Sequence, residues 1–187
     1  GKLLYCVVEY SQQKRIPINI FKSWSSKSNV FQYLAVHYVD LIQYITGFKP
    51  IKLSSWGQKK YLIKKRINTW DSIQTVITWK NNKNDEFIST HMTNWIDPNH
   101  TSAISDQKIT FVGTEGRFDS NQKNRGNQFV NDVTGINDIN PYFTSLIKSN
   151  DNRIFFTGYG IKSIIQFFKD VQEYNSGKIK LKDLEKV

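Results

Sequence analysis

The sequence predicts an α+β domain, a large and mostly antiparallel open sheet with helices gathered on one face. Three observations carry that prediction. Ser72 to Lys80 alternates strictly, with Ile73, Thr75, Ile77 and Trp79 on one side and Gln74, Val76 and Thr78 on the other, the period of a strand buried on one face. Phe87 to Ile96 resumes the strand pattern after the turn-rich break Asn81 to Asp85, which makes an antiparallel hairpin. Asn29 to Gly47 and Gly160 to Tyr174 instead repeat apolar residues at three- and four-residue steps, the helical period. Helices set apart from a hairpin-built sheet pack against one of its faces.

Taken in order, Leu3 to Tyr10 and Ile16 to Phe21 read as two strands around the polar stretch Ser11 to Arg15. Pro17 has no amide donor, which puts the second at an edge or a bulge. Trp24 to Ser28 is a polar loop leading into the first helix. That helix can be capped by Ser28 or Asn29 and closed by Gly47, with Pro50 just beyond. Its packing face is Phe31, Leu34, Ala35, Tyr38, Ile42 and Ile45, while Tyr33, His37, Asp40 and Tyr44 share another face.

Ile51 to Tyr61 reads as extended and Lys64 to Trp70 as a basic loop. After the hairpin, Lys108 to Val112 is a short strand that turns at Gly113 to Gly116 into another at Arg117 to Asp119. Phe129 to Val133 is extended, and Asn140-Pro141 can start a short helix over Tyr142 to Ile147. In the closing helix, Ile161, Ile164, Ile165, Phe168 and Val171 form the stripe expected to face inward, with Gly177 after its end.

At 187 residues the chain suits a single domain, 1–187, long enough to bury a core. It opens at Gly1 without an initiator methionine and runs almost at once into a strand, which reads as a segment of a longer protein. No apolar run nears the roughly 20 residues that cross a bilayer. The lone Cys6 excludes an internal disulfide, fits a reducing compartment and points to the cytoplasm. The net charge of +10 raises nucleic-acid binding as a possibility. However, Val30 to Thr46 carries no Lys or Arg, and the lysines are scattered, with clusters only at Lys59-Lys60 and Lys64-Lys65-Arg66. Solvated lysines, or attraction of an anionic substrate such as a phosphate-bearing sugar, account for the charge without nucleic acid.

Ala35-Val36-His37-Tyr38-Val39-Asp40, followed by Tyr44-Ile45-Thr46-Gly47-Phe48-Lys49-Pro50, resembles the G-x-H-x-x-D helix and TG-x-x-P exit of the glucose-fructose oxidoreductase / inositol dehydrogenase (Gfo/Idh/MocA) family. Asp71 to Trp79 is similar to that family's central strand, Ile109 to Gly116 to its GTEG turn, and Ile161 to Tyr174 to its closing helix. The likeness spans nearly the whole chain but only the family's C-terminal domain, of the glyceraldehyde-phosphate-dehydrogenase-like type. It implies substrate binding and a homodimer or tetramer formed through the open sheet face. It also implies a separate N-terminal dinucleotide-binding domain that supplies NAD or NADP and a catalytic lysine. Neither feature is in this segment: Gly158-Tyr159-Gly160 opens a helix, but the third glycine of a G-x-G-x-x-G turn is replaced by Ser163. The segment alone is therefore expected to bind no dinucleotide.

The resemblance makes His37 the leading catalytic candidate, since the family's matching histidine contacts the substrate carbinol that exchanges hydride. Hydride leaves such a carbon only as the hydroxyl proton departs, and imidazole can manage that proton in either direction. Where many members carry Asp one turn earlier, this chain has Tyr33, whose hydroxyl can donate a hydrogen bond or a proton. Tyr33 either replaces His37 as the acid or lines the pocket. The departure opens a second reading, a catalytically silent binding or assembly module on the same fold. Asp40 holds a loop or the His37 ring, or contacts substrate directly. Lys14 and Arg15, at a strand boundary, offer cations for a carboxylate or phosphate. Trp24, Asn94, Trp95, Arg125 and Tyr142 are candidate pocket lining. His91 and His100 lack the Cys or carboxylate neighbours of a metal site.

Overall fold

The computed structural model describes residues 1–101, 103–122, 126–139, 144–149 and 151–181. They fall into two compact units, Gly1–Asn140 and Pro141–Val187.

The first unit is built on an eight-stranded sheet. In chain order its strands are β1 (Leu3–Gln13), β2 (Lys49–Gln58), β3 (Ser72–Lys80), β4 (Glu86–Asp97), β5 (Ser105–Gly113), β6 (Gly116–Asn121), β7 (Gly126–Asn131) and β8 (Gly135–Ile139). Their spatial order is β2-β3-β4-β1-β5-β6-β7-β8, so the first strand is the centre of the sheet. It runs parallel to β4 and antiparallel to β5, and the other pairings are antiparallel. The alternation read for β3 fits the packing: Ile73, Thr75, Ile77 and Trp79 are buried and the residues between them are half-buried. In register with them, Phe87, Ser89, His91, Thr93 and Trp95 of β4 face the same core, as do Cys6, Val8, Tyr10 and Gln12 of β1.

Over that face lies the first helix. Phe31–Ala35 is one π-helical turn, and α1 continues as regular helix over Val36–Thr46. Asn29 caps the start, its Oδ1 accepting from the Gln32 amide at 2.8 Å. Gly47 closes the end at φ 70°, its amide donating to the Gln43 carbonyl at 2.8 Å. Val30, Leu34, Ala35, Tyr38 and Ile42 are buried on the sheet, whereas Phe31 is only half-buried and Ile45 is exposed.

Two expectations about elements are corrected. Ile16–Ile20 is a π-helical turn rather than an edge strand. Both edges of β1 are already taken by β4 and β5, so a following segment has no strand to pair with. Pro17 instead opens the turn, and its carbonyl accepts from Ser25 Oγ at 3.0 Å.

In the second unit, Thr144–Lys148 is a strand, β9, and no helix spans Tyr142 to Ile147. It pairs antiparallel with β10 (Ile154–Gly158) across a turn in which Asn152 takes φ 65°. Ladder partners override the helix-starting signal of Pro141. Helix α2 (Tyr159–Asn175) follows, with the expected period, but Ile164, Ile165, Phe168 and Val171 of its apolar stripe are exposed.

Candidate functional site

The site builds from the end of β1 and the first turns of the helix above it. The π-helical turn ends at Ala35 and regular helix begins at Val36, so Tyr33 and His37 project from the junction one turn apart. Beneath them is Tyr10, the third member of the buried row Cys6, Val8, Tyr10. Its ring lies 6.3 Å from the His37 ring and 5.8 Å, edge-on, from Tyr38. Burial raises the Tyr10 phenol above its usual range, the nearby Tyr33 adds to this, and a hydrogen bond with Ser105 works against it. Tyr38 is pushed up to about 12, first by burial and then by Tyr10 and Cys6. Phenols so placed stay protonated at neutral pH and can act as hydrogen-bond donors.

One wall of the site is aromatic. The half-buried Tyr33 ring sits 5.1 Å from Phe21, 5.2 Å from Trp24 and 5.8 Å from Trp95. The fully buried Trp95 is fixed from below, its Nε1 donating to Gln12 Oε1 at 3.1 Å, while Gln12 Nε2 donates to Ser105 Oγ at 3.0 Å. The structure thus brings together Tyr33, Trp24 and Trp95, leaves His37 exposed one helical turn from Tyr33 with its ring 6.3 Å from Tyr10, and adds Tyr10 and Gln12. The strand alternation running through Cys6 and Val8 was the signal that could have found those two.

The other candidates stand apart. Asp40 is exposed and makes no hydrogen bond among the described residues, to His37 or elsewhere. Asn94 faces the opposite side of the sheet from the helix, in a hollow of about 300 Å³ with Ser11, Gln74 and Met92. Arg15 folds back, its Nε donating to Gln13 Oε1 at 2.7 Å and its amide to Asn99 Oδ1 at 3.0 Å. Lys14 places its Nζ 5.2 Å from the Tyr61 ring centroid. Arg125 and Tyr142 lie outside the described residues.

His91, at 0% exposure, is a core residue. Its Nε2 shares a hydrogen bond with Ser89 Oγ at 2.9 Å, and Ser89 accepts from Trp79 Nε1 at 2.7 Å. No group of three or more His, Cys, Asp or Glu among the described residues could hold a metal ion. The Gly158-Tyr159-Gly160 junction follows a strand paired antiparallel with β9, not the parallel βαβ unit that cradles a pyrophosphate.

A scan against protein-family models finds no match, and a search of curated proteins finds none either. Solved structures do match. A Thermotoga maritima protein designated an oxidoreductase superposes with a TM-score of 0.65 at 14% identity, over 96% of this chain and 46% of its own. An inositol dehydrogenase homolog from Azotobacter vinelandii, solved with NADH and myo-inositol, matches at 0.58 and 11% over 74% of this chain and 35% of its own. A UDP-N-acetylglucosamine 3-dehydrogenase from Acidithiobacillus ferrooxidans matches with a TM-score of 0.56 and 13% identity over 75% of this chain and 39% of its own. The chain shares the fold of these oxidoreductases over that part of their length, a large and mostly antiparallel open sheet, as the resemblance to the Gfo/Idh/MocA C-terminal domain implied. The chain spans less than half the length of each of these structures. No helix among the described residues is long and apolar enough to cross a membrane.

Proposed function

We propose that this chain is the C-terminal, substrate-binding and dimerisation domain of an NAD(P)-dependent oxidoreductase acting on a sugar, cyclitol or nucleotide-linked sugar. The observation that carries the proposal is the half-buried Tyr33 ring beside that of Trp24, one helical turn from His37, whose ring lies 6.3 Å from Tyr10. Aromatic faces suit the C–H-rich face of a sugar ring, while phenol and imidazole supply the donor and the proton acceptor that a carbinol needs. Named relatives of this fold, an inositol dehydrogenase homolog and a UDP-sugar dehydrogenase, support the substrate class. NAD or NADP would accept or give the hydride and would be held by a separate dinucleotide-binding domain. His37 or Tyr33 would handle the hydroxyl proton, and Trp24 would orient the ring.

The silent-module reading has its own support. No carboxylate among the described residues bonds to His37, and the Tyr33 ring is packed among three aromatic rings. Substitution in the protein that carries both domains separates the two readings. Removing a proton-transfer group costs about a hundredfold to ten-thousandfold in rate. His37→Ala or Tyr33→Phe should lower turnover by about that factor with little change in Tm. The larger of the two losses names the acid. Wild-type turnover in both variants would make the helix a scaffold and sink the catalytic reading.

A further inference from the structure

The loop from Lys59 to Asp71 is basic on its outside and anchored from within. Asp71 is buried, and its carboxylate accepts from three consecutive backbone amides, those of Lys60 at 2.5 Å, Tyr61 at 2.6 Å and Leu62 at 2.7 Å. The anchor continues into the sheet through the Asp71 carbonyl, which accepts from the Trp95 amide at 2.8 Å. It reaches the start of the helix through Thr69 Oγ1, which donates to the Ser28 carbonyl at 2.7 Å. Tyr61 is thereby fixed, and two ammonium groups from distant parts of the chain approach its ring. Lys14 Nζ lies 5.2 Å and Lys65 Nζ 5.8 Å from the centroid. The Lys14 backbone is itself pinned, its amide donating to the Asp97 carbonyl at 2.9 Å.

Each cation–π contact returns only about 0.5–1 kcal/mol at an exposed site. Some cations of the chain pair with carboxylates, as in Lys2–Asp85, Lys80–Glu86 and Lys108–Glu9. No carboxylate among the described residues forms such a pair with Lys14, Lys64, Lys65 or Arg66. A rigid base flanked by two unneutralised ammoniums is an arrangement suited to anion binding.

The clamp also leads to the site. Gln12, near the end of β1 and two residues before Lys14, holds the Trp95 indole, whose ring centroid lies 5.8 Å from that of Tyr33.

We propose that Lys14 and Lys65, held over Tyr61, bind the phosphate or diphosphate of an anionic substrate whose other end reaches the Tyr33 wall. This deepens the reading above and rests on it only for that other end. A nucleic acid is the less suitable anion, because the adjoining helix from Val30 to Thr46 carries no Lys or Arg to continue a backbone track.

Calorimetric titration of the 187-residue chain with inorganic pyrophosphate at low salt tests the clamp. Lys14→Gln and Lys65→Gln should each weaken binding roughly tenfold, as loss of a charge-assisted hydrogen bond does, and the pair should weaken it further. Lys83→Gln, in the β3–β4 turn, should leave it unchanged. Binding that is absent at millimolar pyrophosphate, or equal in all variants, overturns the proposal. So does a short single-stranded oligonucleotide that binds tighter than pyrophosphate with a steep salt dependence. None of these results touches the oxidoreductase reading, which stands or falls on turnover of the Tyr33 and His37 variants.

Discussion

His91 shows what a single side chain contributes when it is sealed in the core. Its register neighbours are Val8 and Thr75, and its ring meets Phe31 and Ser89, so no charge faces it. Its Nδ1 has no protein partner. Burial lowers its pKa from 6.5 to about 4, so the folded protein holds it neutral. Because the folded pKa lies below the unfolded one, its stabilising contribution is complete above about pH 6.5 and is lost as pH falls toward 4. The difference corresponds to about 3 kcal/mol. Carboxylates titrate in the same window, so the readout is a comparison with His91→Gln, which cannot take up a proton. Urea unfolding at pH 7.5 and pH 4 should show the wild type losing about 3 kcal/mol more than the variant. Equal losses would mean the imidazole is hydrated or paired in the folded state.

At the scale of elements, periodicity was legible wherever one face meets the core and the other meets solvent. Ser72 to Lys80 was read with both ends correct, and the first helix was read with a cap at Ser28 or Asn29, of which Asn29 makes the bond, and with its Gly47 stop. Ile16, Ile18 and Ile20 alternate as a strand does, yet whether a neighbouring strand edge is free is a property of topology, which a local pattern does not carry. The Asp71 anchor was missed for a related reason: a carboxylate accepting from the amides of residues 60–62 has no signature until the loop closes on itself. The helix stop gives a test at this scale. A Cβ added at Gly47 would meet nothing within 4 Å, so any cost of Gly47→Ala comes from its φ of 70° alone. The expected loss is about 1 kcal/mol in chemical denaturation, with the fold kept. A neutral result would show that the helix end frays without penalty.

For the molecule as a whole, the expected assembly is tested on the face of the sheet opposite α1. The apolar residues of β3 do not explain a need to cover it, because Ile73, Ile77 and Trp79 all point to the helix side. Its own apolar patch comes from other strands: Tyr5 on β1, Trp56 on β2, and Ile88, Met92 and Ile96 on β4, each between 36% and 58% exposed. Two of the cations on this face are matched, Lys108 Nζ lying 3.1 Å from Glu9 and Arg117 Nε 2.6 Å from Asp119, while Lys52 stands beside Trp56 with no carboxylate partner among the described residues. An exposed apolar patch with a polar rim is what a self-association surface looks like. The expected state is a homodimer or tetramer at tens of micromolar, roughly the range in which a modest interface fills. Ile88 lies beside Tyr5 and Thr78 in register, near the middle of that patch. Ile88→Lys should shift the light-scattering mass to that of a monomer while leaving the Tm near wild type, since residue 88 is 48% exposed in the single chain. A wild-type monomer at that concentration, or a mass that Ile88→Lys does not change, would remove this face from the assembly.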